Sequence, residues 1–145
     1  MKKIILILLL IIPVVVTAMA YMLAGFVGRS LTIVPIAGIS VDYAAAASRN
    51  VIPLVPNENV YQITSANVNS SIDLTSFISV QPAGARFTHL HFDVVYLDSG
   101  EVSTAVYVNH ETGIMRMVER TSEWVEVRVG DGVRTFMTIW VLEVV

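Results

Sequence analysis

From Ile4 to Gly28 the chain reads IILILLLIIPVVVTAMAYMLAGFVG, without one charged side chain. No other stretch limits the fold as strongly. A hydrocarbon core about 30 Å thick takes roughly 20 apolar residues as a helix. At ~1.5 Å per residue this run reaches about 37 Å. A lone segment in lipid satisfies its backbone polar groups only as a helix. Pro13 removes one donor, which membrane helices tolerate. Lys2 and Lys3, the only lysines, stand directly before the run. By the positive-inside rule they stay cytoplasmic and the remainder is delivered outside. The expectation is an N-terminal transmembrane α-helix within residues 1–29, single-pass, with a cytoplasmic N-terminus and an extracytoplasmic C-terminal domain in contact with the lipid bilayer.

A signal peptide is the alternative. Lys2-Lys3 serves as its basic start, Ile4–Val16 as its apolar centre and Ala18-Met19-Ala20 as its cleavage site, giving a chain secreted after cleavage at Ala20. Hydrophobicity that continues to Gly28 favours the retained anchor.

Beyond Gly28 the character of the chain changes. All 12 acidic residues lie there, against arginines alone. A nucleic-acid partner would want a basic face, so none is expected. Cysteine is absent, which excludes disulfides, thiolate metal sites and cysteine nucleophiles. Only 14% of the residues are charged. That is low for a freely soluble surface and points to contacts with other protein subunits or to a membrane nearby.

Residues 30–57 read as an apolar connector. Leu31–Val34 suits a short strand, and Pro35 and Gly38 break any helix running out of the first segment. Ala44–Ala47 suits a short helix with Ser40 as its N-cap. Pro53 and Pro56 hold an extended path. A segment of this kind either leads into the domain or pairs with a neighbouring subunit's sheet.

From residue 58 to 145 the hydrophobic period is two. Val60–Ile63 is a short strand. Ile72, Leu74, Ser76, Ile78 and Val80 mark a half-buried one, closed by the turn Gln81–Gly84. Arg86–Leu97 is the clearest strand, with Leu90, Phe92, Val94 and Tyr96 on one side and Phe87, His89, His91, Asp93 and Val95 on the other. Asp98-Ser99-Gly100 closes a hairpin onto a return strand whose inner face is Val102, Thr104, Val106 and Val108. Ile114–Arg120 pairs back. Val125, Val127 and Val129 then face inward, with Trp124, Glu126 and Arg128 outward. After Gly130-Asp131-Gly132 the last strand is apolar on both faces, Met137, Ile139 and Val141 against Phe136, Trp140 and Leu142. Such a strand is central in a sheet or lies against another surface. About seven strands at spacings of roughly 8–12 residues predict a mainly β fold, an antiparallel β-sandwich that is immunoglobulin-like in the broad sense.

One stretch carries chemical groups in sequence. In a strand, His89, His91 and Asp93 share a face at about 7 Å steps, with His110 as a further imidazole. Two imidazoles and a carboxylate suit a divalent metal, but one strand rarely completes a coordination shell, so the polar outer face of a half-buried strand is the favoured reading. Asp98–Glu101 and Gly130–Gly132 lack the alternating oxygen ligands of a calcium loop and read as turns. Asn69-Ser70-Ser71 is a glycosylation sequon, usable on an exported loop. Trp124, Phe136, Trp140 and Leu142 are the expected interface residues. No phosphate loop, nucleophile elbow or paired-carboxylate spacing stands out, and no cofactor is expected.

An apolar N-terminal segment followed by a β-sandwich resembles, in layout, archaeal pilins and archaellum accessory proteins. The short processing site that precedes the hydrophobic helix in those pilins is not present here. The layout is also similar to that of oxidase copper subunits, whose cysteine ligands are missing, so only a copper-free accessory subunit of a membrane enzyme complex is compatible. The leading expectation is a non-enzymatic structural or interaction protein, a subunit of a surface filament, virion membrane or envelope complex, ahead of an exported metal- or ligand-binding module using His89, His91 and Asp93.

Overall fold

A computed structural model describes residues 12–20, 33–55 and 57–145. The chain divides into two units, Met1–Ile33 and Val34–Val145. In the first, residues 12–20 are helical (α1). Among the described residues no helix is long and apolar enough to cross a membrane. The transmembrane helix expected over Ile4–Gly28 is therefore not what is seen. Residues 12–20 are the described part of that run, and the rest of it lies outside the described residues.

The second unit is mainly β. Its strands are β1 (Gly38–Val41), β2 (Ile52–Val55), β3 (Val60–Ile63), β4 (Ser71–Asp73), β5 (Ile78–Gln81), β6 (His91–Tyr96), β7 (Val106–Asn109), β8 (Ile114–Met117), β9 (Val125–Gly130) and β10 (Thr135–Val141). They form three sheets, β1-β5, β2-β3-β10-β9-β6 and β4-β8-β7. The seven-stranded, wholly antiparallel sandwich is corrected in two ways. The strands are more numerous and shorter, and β10 runs parallel to β3, Ile139 beside Tyr61. A parallel neighbour needs a long crossover; all of β4 to β9 lies between these two strands in the chain.

Local side chains explain where the single-strand expectations break. Ile72–Val80 is split because Asp73 turns the chain, its carboxylate accepting from Thr75 N at 3.0 Å and Thr75 Oγ1 at 2.6 Å. A 3-10 turn, Leu74–Ser76, follows. β4 and β5 consequently join different sheets. The return strand after Asp98-Ser99-Gly100 begins only at Val106. Ser103 Oγ accepts from Ala105 N at 3.1 Å and Val106 N at 3.4 Å, an ST-turn that shifts the phase. Ser103 and Ala105 are buried, whereas Val102 and Thr104 are exposed. The segment 30–57, expected as a connector, supplies β1, β2 and a short helix α2 (Tyr43–Ala47). Its N-cap is Asp42, accepting from Ala44 N and Ala45 N, not Ser40. A carboxylate one residue before the helix reaches the orphan amides that Ser40 is too distant to cap.

One core joins the three sheets. The five-stranded sheet contributes Tyr61, Ile63, Val125, Val127, Val129, Met137, Ile139 and Val141, none more than 1% exposed. The three-stranded sheet contributes Val106, Val108, Met115 and Met117, and the remainder includes Ile36, Ala46, Leu74, Phe77 and Ile78. β10 sits at the centre of its sheet, as its two-faced apolar pattern requires. Burial pushes the Tyr61 hydroxyl up to about 12, helped by neighbouring Tyr43.

Candidate interaction face

The core uses one side of the five-stranded sheet, and alternation assigns the other side residue by residue. Across the sheet run Ile52, Gln62, Trp140, Glu126 and Val95, paired strand to strand in that order. The next outward row is Val60, Thr138, Arg128 and Asp93. Rows lie about 7 Å apart and strands about 4.8 Å apart.

Beyond the first row the face turns apolar. Trp124 and Leu97 continue β9 and β6, joined by Leu97 N donating to Trp124 O at 2.8 Å. Val102 pairs with Val95 across an isolated bridge. Leu142 extends β10, its N–H donating to Ile63 O at 2.9 Å. The Trp124 and Trp140 rings pack with centroids 6.1 Å apart. Trp124 is 44% exposed, Leu97 37% and Val102 79%, so the cluster is open to solvent. The Trp140 indole N–H is buried with no hydrogen-bond partner among the described residues. Phe136, expected with the tryptophans, is not brought to them. It sits beside a bulge, about 13 Å from Trp140 along the strand, under the Arg134 guanidinium at 5.2 Å.

The other half of the face is polar. Glu126 Oε2 accepts from Arg128 Nε at 2.9 Å, and that hydrogen bond holds the Arg128 pKa above its usual value. His91 Nε2 lies 3.2 Å from Asp93 Oδ1. His89 does not join them. Phe87–His89 is a 3-10 turn, so the strand begins at His91 and the alternation that would have aligned three ligands starts too late. Among the described residues no three His, Cys, Asp or Glu side chains are grouped to hold a metal ion. His110 lies in the Asn109–Gly113 turn, where Asn109 Oδ1 accepts from Glu111 N and Thr112 N. Asn69 is exposed, with φ +68.

The β9–β10 turn closes this end of the face. Asp131 accepts from Val133 N at 2.9 Å and Arg134 N at 2.6 Å. These bonds, with the Arg134 side chain, bring its pKa down to about 2. Gly130 is required there, since a Cβ would lie 1.9 Å from the Arg134 carbonyl oxygen. A cavity of about 70 Å³ opens beside the turn, lined by His91, Asp93, Arg128, Arg134 and Thr135 among others.

In sequence the apolar cluster was visible as Trp124, Trp140 and Leu142. Leu97 and Val95 were assigned to a strand with no role and Val102 to an inner face, because their nearness depends on the hairpin's register. The chain matches no protein-family model and no curated protein.

Proposed function

We propose that this protein is a structural or interaction subunit, exported to work outside the membrane within a multi-subunit assembly. One observation carries it. The sheet face opposite the core bears an apolar cluster in which Trp124, Leu97 and Val102 are exposed and Trp140, Val95 and Leu142 half-buried. A sheet normally turns a polar face to water. Contiguous exposed apolar surface marks an interaction site, and tryptophan is enriched among the residues that dominate binding energy. The polar half beside it, Glu126, Arg128 and Asp93, forms the hydrated rim such contacts have. Export is supported by the basic start and charge-free run of the sequence.

The test is a photo-crosslinking residue in place of Trp124 in the native host, with the same residue at exposed Ser79 as control. Cross-links from 124 to a second chain, absent from 79, support the interface. Cross-links confined to the same chain, or equal at both positions, overturn it.

A further inference from the structure

We propose that the cleft between β6 and β7 receives a β-strand from a neighbouring subunit, an extended apolar segment that adds to both sheet edges at once. This contact rests on the assembly proposed for the apolar face and names the form in which the partner arrives.

β6 is an outer strand of the five-stranded sheet and β7 an outer strand of the three-stranded one. A groove of about 260 Å³ separates them, with Phe92 and Val94 on one wall and Val106 and Val108 on the other. The walls are tied at one end. Val95 bridges to Val102, and Ser103 N donates to Val94 O at 3.0 Å. Beyond that tie no strand pairing joins β6 to β7.

Alternation fixes which backbone groups face the cleft. Leu97 N donates to Trp124 O, so His91, Asp93 and Val95 turn their peptide groups toward β9, and Phe92 and Val94 turn theirs into the cleft. Val118 N donates to Ala105 O, so Tyr107 and Asn109 bond β8, and Val106 and Val108 face the cleft from the other side. Ser103 satisfies two of these groups, Val94 O through its N–H and Val106 N through its Oγ at 3.4 Å. On the β6 wall the Phe92 N–H and C=O and the Val94 N–H have no hydrogen-bond partner among the described residues. On the β7 wall the same holds for the Val106 C=O and the Val108 N–H and C=O. Val106 and Val108 are buried residues, and backbone groups at buried positions are seldom left unpaired.

These groups define the occupant. A purely apolar ligand would leave all of them unsatisfied, whereas a polypeptide strand lying between the walls offers donors and acceptors to each edge. Its inward side chains meet Phe92, Val94, Val106 and Val108 and are therefore apolar at alternate positions. The one charged lining residue, Asp93, is engaged by His91 at 3.2 Å. Val95 and Val102 belong both to the cleft and to the apolar outer face, so the inserted strand is continuous with the interface proposed there. The opposite edge of the five-stranded sheet gives the contrast. β2 carries Pro53 and a register shift before Val55, two devices that discourage strand addition. β6 and β7 hold neither proline nor lysine and pair without a bulge.

Amide hydrogen exchange reads the inserted backbone directly. The full-length chain, isolated in its assembly from the native host, is compared with the same chain produced alone. The amides of Phe92, Val94 and Val108 are expected to exchange at least about tenfold more slowly in the assembly. Val94→Pro removes one donor facing the cleft and breaks no hydrogen bond within the chain, a position where edge strands tolerate proline. It should lower the fraction of chain found in the assembly about tenfold while leaving the urea midpoint near that of the parent. Should that variant fail to fold, Tyr107→Lys, a charge on an exposed lip of the cleft, carries the same expectation. Equal exchange of the three amides in both states, or an assembly indifferent to the folded variant, overturns the strand insertion. If cross-links from position 124 persist while those amides exchange alike, the assembly reading stands and this contact alone fails; if both signals are absent, both fail.

Discussion

The two faces of the five-stranded sheet are built by alternate residues of the same strands, yet they meet different fates. Toward the core, Val125, Val127, Val129, Met137, Ile139 and Val141 are sealed by the other sheets. Toward the outside, Trp124, Trp140, Leu97 and Val102 are comparably apolar but lack a cover among the described residues. The difference teaches that hydrophobicity alone does not assign a residue to a core. What decides is whether the rest of the chain supplies a second layer on that side. The inner face has one; the outer face presents its apolar groups to whatever comes next.

Mutations on the two faces should therefore separate stability from association. The largest effect is expected on the inner face. Ile139→Ala removes a fully buried side chain from the central strand and should cost about 2–5 kcal/mol, read as a lower midpoint in urea unfolding. A loss below about 1 kcal/mol would mean that the inner layer is loosely packed and the contrast between faces is overstated.

Next comes the turn that sets the register of both faces. The Asp131 pKa of about 2 lies below its ordinary value of 3.8. A carboxylate with a depressed folded pKa contributes stability that is fully present above its unfolded value and lost as pH falls through its folded value. Unfolding midpoints should thus decline between about pH 4 and pH 2, and Asp131→Asn should flatten that part of the profile. An unchanged profile in the variant would show that the turn is held by other groups.

The smallest stability effect is expected outside. Trp124→Ala should shift the unfolding free energy by about 0.5 kcal/mol or less, because its ring covers a neighbour and not the core. It should nevertheless remove most of the association, as hot-spot tryptophans do. A variant that unfolds early but assembles normally would reverse the roles given to the two faces.

The periodicity of residues 125–129 and 137–141 was legible because alternation is unbroken there, clear of the bulge between Thr135 and Met137. Inward and outward residues could be assigned one by one, and they fall as read. Legibility failed where one polar side chain caught the backbone. Asp73 and Ser103 each accept from amides two or three residues ahead, turning the chain and resetting the phase. The Phe87–His89 turn did the same to the histidine strand, leaving His91 with Asp93 but without His89. The long apolar N-terminal run suggested a spanning helix by composition, whereas among the described residues no helix is long and apolar enough to cross a membrane.

By itself the sequence determined that the second unit is mainly β, which residues of its regular strands face inward, and that no disulfide or thiolate chemistry is available. These properties come from composition and from a period of two, which are local to the chain. Only the tertiary structure decided that β10 lies parallel to β3 at the centre of a sheet and that Leu97, Val95 and Val102 join the tryptophans. Those relations depend on which distant segments pair and in what register. That choice is made by burial of all the apolar faces together, and no window of sequence contains it.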